Sequence, residues 1–334
     1  MKKIALLLSL VLLFANCGTS QNVKSQKPLT AANFAELIRA NDLKEMLYIY
    51  ASDEFEGRRT GEPGQKKAIE FLKDHYIKWG IPSPISKGDY FQEIPESFFK
   101  GKAKASENVM AFIKGSEKPD EVLVISGHLD HEGIKNGKIY NGADDDGSGT
   151  VAILEIAKAF KTAADNDYAP KRSILFLHFT GEELGLYGSK YYTEVDPVIP
   201  LENTIADLNI DMIGRTDPKH DSNSNYMYLI GSNRLSTELH DVSEAVNKEH
   251  FNMVFDYTFN DENDPNRYYY RSDHYNFAKN NIPVIFYFDG GHEDYHKPTD
   301  TPDKIDYDLL TKRTQLIFYT AWELANREER VKLD

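Results

Sequence analysis

Four short, predominantly apolar runs constrain the fold of this chain most strongly. They lie at residues 122–125, 173–177, 205–210 and 284–288, and loops or helical patterns separate them. Runs of this length are typical of strands that are buried on both faces, as in a parallel sheet covered by helices. We therefore predict a single α/β domain with a mixed, mostly parallel central sheet and helices on both faces.

Each of these runs is followed by polar residues of types that carry out chemistry. GHLDH (127–131) follows the first run, TGEELG (180–185) the second, Asp211 the third and GGH (290–292) the fourth, with YHKPTD (295–300) shortly afterwards. Ligands of open α/β sheets bind beyond the carboxyl ends of the strands. We therefore expect these residues to meet along one edge of the sheet.

Three consecutive aspartates, Asp144, Asp145 and Asp146, lie between glycines just before a helical pattern at about 147–162. Adjacent carboxylates repel each other, so they stay ionised at low cost only beside water or a cation. An isolated run of this kind is usually a solvated turn that precedes a helix. Combined with the histidines and acids at the ends of the runs, it predicts a site for a divalent cation.

The order of individual residues suggests roles within such a site. Asp130 follows His128 by two positions, which suits a carboxylate that orients a ligating imidazole. Glu182 and Glu183 point in different directions, so that one can bind a metal while the other faces a substrate. Asp211 would be costly to bury unless it is paired or bound to metal. Taken singly, each could instead be a solvated loop, a helix start or a strand end.

The YHKPTD segment offers a further imidazole, His296. Asp300 follows it by four residues and is the expected partner of that ring. A proline-containing surface turn is the alternative interpretation of this segment.

Six motifs in this order resemble the secreted zinc-dependent aminopeptidases. The motifs are GHLDH, GADDDGSG, GEELGLYGS, NIDMIG, SDH and YHKPTDT. The same superfamily includes glutamate carboxypeptidases, glutaminyl cyclases and a non-catalytic receptor ectodomain. The resemblance covers about residues 40–325, and no long insertion interrupts residues 110–128.

The resemblance implies a co-catalytic site with two Zn²⁺ ions. The implied ligands are His128 and Asp211 for one ion, Glu183 and His296 for the other, and Asp145 as a bridge between the two. The peptide bond after the bridging aspartate is implied to be cis.

The resemblance also implies roles for residues around the metals. Glu182 matches the general base and Asp130 the carboxylate that orients the ligating histidine. Tyr295, directly before the last ligand, is expected to polarise the carbonyl of the bond that is cleaved. Asp273 and His274 match the SDH segment and are expected to support the ligands. Together these assignments predict a metalloaminopeptidase that removes N-terminal residues from peptides by metal-activated water.

Three alternatives remain open. A glutaminyl cyclase, which forms N-terminal pyroglutamate, resembles its relatives in having tryptophans around the pocket, but Trp79 and Trp322 lie in predicted helices away from the motifs. A carboxypeptidase needs an arginine for the substrate carboxylate, and Arg215, Arg267 and Arg271 are the candidates. A non-catalytic binding protein would be expected to lack at least one of the matched residues.

Composition limits the partners of the chain. The formal net charge is −14 and the sequence pI is near 5.2, which argues against a nucleic-acid partner because phosphate binding needs a basic patch. Peptides with a free N-terminus are the expected substrates. The oligomeric state is not predicted.

The N-terminus resembles that of a bacterial lipoprotein. Two lysines precede an apolar run at residues 4–14, which is typical of a secretory signal and short for a membrane span. Cys17, the single cysteine of the chain, lies where a lipobox cysteine is acylated. We predict a signal peptide (1–16), a lipid-anchored tether (17–29) and a zinc peptidase domain (30–330), in a protein exported to the cell envelope. Signal cleavage without lipidation is the alternative.

Overall fold

The computed structural model describes residues 28–85 and 88–334. The predicted signal peptide, Cys17 and nearly all of the predicted tether lie outside these residues. The strands are β1 (Phe91–Ile94), β2 (Ser106–Ile113), β3 (Lys118–His128), β4 (Gly133–Lys135), β5 (Lys138–Tyr140), β6 (Arg172–Phe179), β7 (Thr204–Ile210), β8 (Tyr226–Ile230), β9 (Val254–Asp256) and β10 (Val284–Phe288). The α-helices are α1 (Ala31–Ala35), α2 (Ala40–Tyr50), α3 (Pro63–Lys78), α4 (Gly149–Asp165), α5 (Tyr187–Glu194), α6 (Thr237–His250), α7 (His274–Ala278) and α8 (Tyr307–Asn326).

An eight-stranded sheet organises these elements, in the order β1-β2-β6-β3-β7-β10-β8-β9. The four central strands, β6, β3, β7 and β10, are parallel to one another. Antiparallel pairs flank them, β2 on one side and β8 on the other. Strands β4 and β5 form a separate hairpin. The prediction of a single α/β domain with a mixed sheet is confirmed.

Helices cover both faces of the sheet because successive strand residues point to opposite sides. In β3, Leu123 and Ile125 belong to an apolar cluster that includes α2, α4 and α8. Val122 and Val124 belong to a second cluster that includes residues of α5 and α7. Both faces of the central strands are therefore buried, which explains why their sequences read as nearly continuous apolar runs.

The elements differ from the sequence predictions mainly at their ends. The helical pattern at residues 30–52 divides into α1 and α2. Strand β3 is longer than the apolar run at 122–125, since its first residues pair at the sheet rim. Within the described part of the chain, no helix is long and apolar enough to cross a membrane.

Candidate metal centre

The residues predicted to bind metal lie together at one edge of the sheet. The parallel strands β6, β3, β7 and β10 end at this edge. His128 is the last residue of β3 and Asp211 directly follows β7, whereas Glu183 and His296 lie in the loops after β6 and β10. Asp145 lies in the bent segment that precedes α4. Five separate parts of the sequence thus converge at this edge.

The carboxylate of Asp145 lies at the centre of these side chains. Its Oδ1 atom is 3.1 Å from Nε2 of His128, and its Oδ2 atom is 3.0 Å from Nε2 of His296. The Asp211 Oδ1 atom is 3.5 Å from the same His128 nitrogen, and Glu183 Oε2 is 3.3 Å from the same His296 nitrogen. The peptide bond after Asp145 is cis. The side chains therefore form two groups that share one carboxylate.

The donor atoms in these groups fit divalent cations. Three sets of side chains each place one ligand atom apiece within 4.8 Å of one another. The sets are His128, Asp145 and Asp211; His131, Asp145 and Glu183; and Glu132, Glu183 and His296. Buried polar atoms normally have hydrogen-bond partners, yet Asp145 Oδ2 and Glu183 Oε1 have none. Nitrogen and oxygen donors of this kind suit zinc, and also manganese or cobalt.

His131 is a member of the cluster to which the sequence analysis gave no role. Its ring is fully buried, and its Nδ1 atom is 2.7 Å from Glu183 Oε1 and 3.7 Å from Asp145 Oδ2. The contact with Glu183 has a short distance but not the alignment of a hydrogen bond, and neither ring nitrogen has another partner. Burial lowers the pKa of His131 to about 4. The GHLDH motif contained this histidine, and its spacing from His128 was the available signal.

The crowding of carboxylates changes their protonation. Burial raises the pKa of Glu183 to about 8, and the charge of Asp145 adds to this effect. Burial also raises the pKa of Glu182 well above its usual range. Burial alone would raise the pKa of Asp145 too, but the imidazoles of His131 and His128 hold it well below its usual range. A bound cation would stabilise the ionised form of every carboxylate here.

The other two aspartates of the DDD segment turn away from the cluster. Asp146 accepts hydrogen bonds from the backbone N–H groups of His128 and Met212, both at 3.1 Å. Its carboxylate therefore joins the ends of β3 and β7. Asp144 Oδ2 lies 3.1 Å from Nε2 of His292. Of the three, only the middle aspartate faces the predicted ligands.

Asp130 differs from its expected role. The Nδ1 atom of His128 lies 3.0 Å from the main-chain oxygen of Asp130 and 3.9 Å from its carboxylate. The carboxylate instead accepts hydrogen bonds from the Thr60 hydroxyl at 2.6 Å and the Glu182 N–H at 3.1 Å. The turn after β3 brings the carbonyl to the imidazole, so Asp130 orients His128 through its backbone and holds the main chain of Glu182 through its side chain.

Asp300 also differs from its expected role as the partner of His296. Its carboxylate accepts hydrogen bonds from the backbone N–H groups of Asp144 at 3.0 Å and Asp145 at 3.2 Å. Asp300 therefore positions the segment that carries the central carboxylate. The side chain reaches this segment because the chain turns after His296.

The SDH segment contacts the cluster through its serine. The Ser272 hydroxyl donates to Asp211 Oδ2 at 2.6 Å and accepts from the amide of Asn209 at 2.8 Å. Asp273 is buried against the hydroxyl of Ser189. His274 is buried with its ring stacked on Phe286, at 4.7 Å between centroids. The expectation of supporting residues at Asp273 and His274 thus shifts to Ser272, which contacts a predicted ligand directly.

A small cavity of about 30 Å³ opens at the cluster. It is lined by His128, Asp145, Glu182, Asp211, Met212, Tyr268, Arg271, Phe286, Phe288, Tyr295 and His296. The Tyr295 ring stacks on the His296 ring, with centroids 4.0 Å apart. Neither Trp79 nor Trp322 lines this cavity. The walls are therefore aromatic and apolar on one side and acidic on the other.

The three candidate arginines have different environments. Arg271 lines the cavity, with its Nη2 atom 3.4 Å from the Tyr295 hydroxyl. Arg215 pairs with Asp294 at 3.2 Å. The guanidinium of Arg267 lies over the ring of Tyr270, at 4.9 Å from its centroid.

A fully buried guanidinium supports the loops around the cluster. Arg58 donates to the carbonyls of Tyr50 at 3.2 Å, Leu129 at 3.2 Å, Asn141 at 2.6 Å and Gly142 at 2.8 Å. Its charge is balanced by carbonyl dipoles and by the face of the Tyr50 ring, 4.6 Å away. Arg58 therefore links the end of α2 to the two loops that flank His131 and Asp145.

Solved structures with this fold include bacterial peptidases and a cyclase. The chain is similar to the LapA aminopeptidase of Legionella pneumophila, with a TM-score of 0.68 and 21% identity over 91% of this chain and 79% of that chain. It is also similar to the glutaminyl cyclase of Porphyromonas gingivalis, with a TM-score of 0.66 and 17% identity over 85% of this chain and 98% of that chain. At these identities, the likeness describes the fold.

Sequence comparison is more specific. The chain is 37% identical over 114 residues to a probable leucine aminopeptidase 2 of Aspergillus oryzae, which covers 34% of this chain and 21% of the relative. The matched segments span only 14% to 32% of the length of the first curated relatives. Well over half of the chain, residues 108–321, matches the sequence profile described as peptidase family M28. This chain therefore belongs to peptidase family M28.

Proposed function

We propose that this protein is a zinc-dependent aminopeptidase that hydrolyses the first peptide bond of its substrates at a two-zinc site. The observation that carries the proposal is the Asp145 carboxylate, whose two oxygens face two separate sets of donors. His128 and Asp211 would hold one ion, and Glu183 and His296 the other. His131 and Glu132 lie in the same sets of donors.

Each protein group in the cavity has a task in this reaction. When bound, two zinc ions would lower the pKa of a coordinated water and stabilise charge on the carbonyl oxygen. Glu182 lines the cavity beside the predicted ligands and would accept the proton of the attacking water, then deliver it to the leaving amine. Asp130 fixes the backbone of Glu182. The Tyr295 hydroxyl would donate to the developing oxyanion.

The acidic side of the cavity supports cleavage at the N-terminus. A free α-ammonium group is attracted to carboxylates such as Glu182 and Asp211, whereas an internal peptide segment has no charge to offer. The cavity is also small, at about 30 Å³, which favours a chain end over an extended strand. The similarity to an aminopeptidase at 37% identity adds support.

The proposal includes an exported protein that is anchored to the cell envelope through lipid on Cys17. The lysines, apolar run and cysteine of the N-terminal sequence support this part. These residues lie outside the described residues. Radiolabelled palmitate incorporation, compared with a Cys17→Ser variant, tests it directly.

Mass spectrometry of short peptides tests the activity. Peptides with different first residues, some of them glutamine, are incubated with zinc-loaded protein and with a chelated control. We expect stepwise loss of N-terminal residues that stops on chelation. Loss of ammonia from the glutamine peptides alone would instead indicate a cyclase, and no change in any peptide would favour a binding protein.

Replacement of Glu182 tests the mechanism. Glu182→Gln keeps the shape of the side chain but removes the base, so turnover should fall by roughly 10²- to 10⁴-fold. The zinc content measured by plasma emission should stay the same. Glu293→Gln is a matched control, because Glu293 is exposed, follows the same strand and does not line the cavity. Near-normal turnover in Glu182→Gln would refute the assigned role.

A further inference from the structure

Arg271 places a positive charge at an otherwise acidic cavity. Its side chain is exposed, and it lines the cavity together with Glu182 and Tyr295. Its Nη2 atom lies 3.4 Å from the Tyr295 hydroxyl, and its guanidinium lies 4.7 Å from the centre of the Tyr268 ring. These contacts hold the guanidinium one side chain away from the predicted ligand His296.

This guanidinium has no acidic partner. Within residues 28–85 and 88–334, no carboxylate lies within 4.0 Å of it, whereas Arg215 and Arg327 pair with Asp294 and Glu238. Its hydrogen bond is to a neutral phenol, so both edges of the planar guanidinium retain free N–H donors. A planar donor group of this kind matches a carboxylate in a bidentate arrangement.

The charge balance of the centre points in the same direction. Asp145, Glu182, Glu183 and Asp211 supply four negative charges when ionised. Two divalent cations would cancel these charges, and the charge of Arg271 would then remain without a counter-charge. A substrate that brings its own carboxylate would supply one.

We propose that Arg271 binds a carboxylate of the substrate, so that this site prefers peptides with a carboxylate next to the bond that is cleaved. This inference rests on the proposed peptidase function. Such a carboxylate has two sources, the side chain of an N-terminal aspartate or glutamate and the free terminus of a dipeptide. In both, the group lies within one residue of the cleaved bond, as the position of Arg271 beside Tyr295 requires.

Paired substrates separate the two sources. Glu-Ala-Ala-amide and Gln-Ala-Ala-amide differ in a side-chain charge alone, and Leu-Ala and Leu-Ala-amide differ in the terminal charge alone. We expect kcat/KM to be about 10- to 100-fold higher for the charged member of one pair, as for a hydrogen-bonded ion pair. The pair that shows the difference identifies the source of the carboxylate.

Variants assign the preference to Arg271. Arg271→Met should bring the ratio within that pair to about 1, and Arg271→Lys should keep part of it because the charge remains. Arg267→Met is the matched control: this arginine stacks on Tyr270 and does not line the cavity, so the ratio should not change. Equal kcat/KM within both pairs, or a ratio that survives in Arg271→Met, would overturn the proposal.

A binding measurement keeps this test separate from the proposed activity. Calorimetry with zinc-loaded Glu182→Gln protein gives the dissociation constants of the same four intact peptides. If the wild type cleaves none of them, the aminopeptidase proposal fails. Tighter binding of a charged member, lost in the additional Arg271→Met variant, would still support carboxylate recognition, and equal binding throughout would overturn it.

Discussion

Lowering the pH should destabilise this protein through His178, a residue that the proposed mechanism does not use. His178 lies in the central strand β6 and is fully buried. Its Nε2 atom lies 2.7 Å from the Tyr76 hydroxyl, and its Nδ1 atom has no partner. Burial lowers its pKa to about 3 because a charged ring would have to leave water.

The magnitude follows from the two pKa values. In the unfolded chain the pKa is about 6.5. Between this pH and about 3, the unfolded state binds a proton that the folded state does not, so the free energy of unfolding decreases as the pH falls. The slope is about 1.4 kcal/mol per pH unit, which gives a loss of about 2 kcal/mol between pH 6.5 and pH 5. Above pH 6.5 this contribution is constant.

Urea unfolding followed by circular dichroism at several pH values measures the effect. His178→Gln can keep a hydrogen bond to Tyr76 but does not titrate. The difference in the free energy of unfolding between wild type and variant should therefore shift in favour of the variant by about 1.4 kcal/mol per pH unit below pH 6.5. Chelator in all samples removes the contribution of bound metal. A difference that stays constant down to pH 5 would refute the reasoning.

Two further substitutions test the surroundings of the cluster. His131→Phe should weaken zinc affinity about 10- to 100-fold, because the ring that supports Glu183 loses its nitrogens; competition with a chromogenic chelator measures this, and unchanged affinity would contradict it. Thr60→Val should lower the free energy of unfolding by about 1–3 kcal/mol, because buried Asp130 loses its shorter hydrogen bond. Thr60→Ser keeps the hydroxyl and is the control in the same urea titration, where equal losses in both variants would point to packing instead.

The sequence predicted the placement of the site because parallel strands have a fixed direction. Once the apolar runs were assigned to one sheet, His128 and Asp211 had to lie at the same edge, since each follows its strand directly. Short helices such as α5 and α7 were not predicted, because 8 and 5 residues are too few for a clear helical period.

Hydrogen bonds made by loop residues could not be predicted from sequence. Asp130 contacts Thr60, which is 70 positions earlier, and Asp300 contacts Asp144, which is 156 positions earlier. Proximity in sequence suggested histidine partners for both aspartates. The actual partners depend on how distant loops pack, and no local pattern carries that information. His131 was missed for a similar reason, because the direction of a side chain in an irregular loop follows no period.

Arg58 has a consequence for where the working unit of this enzyme begins. The family match starts at residue 108, and every predicted ligand lies within it. Arg58 and the Tyr50 hydroxyl lie before it, and they hold the backbone at Leu129. A fragment that started at the family boundary would retain all the predicted ligands but would lack the groups that fix their loops. The heritable unit of activity is thus larger than the most recognisable segment, and the helices before it evolve under the constraints of the metal centre.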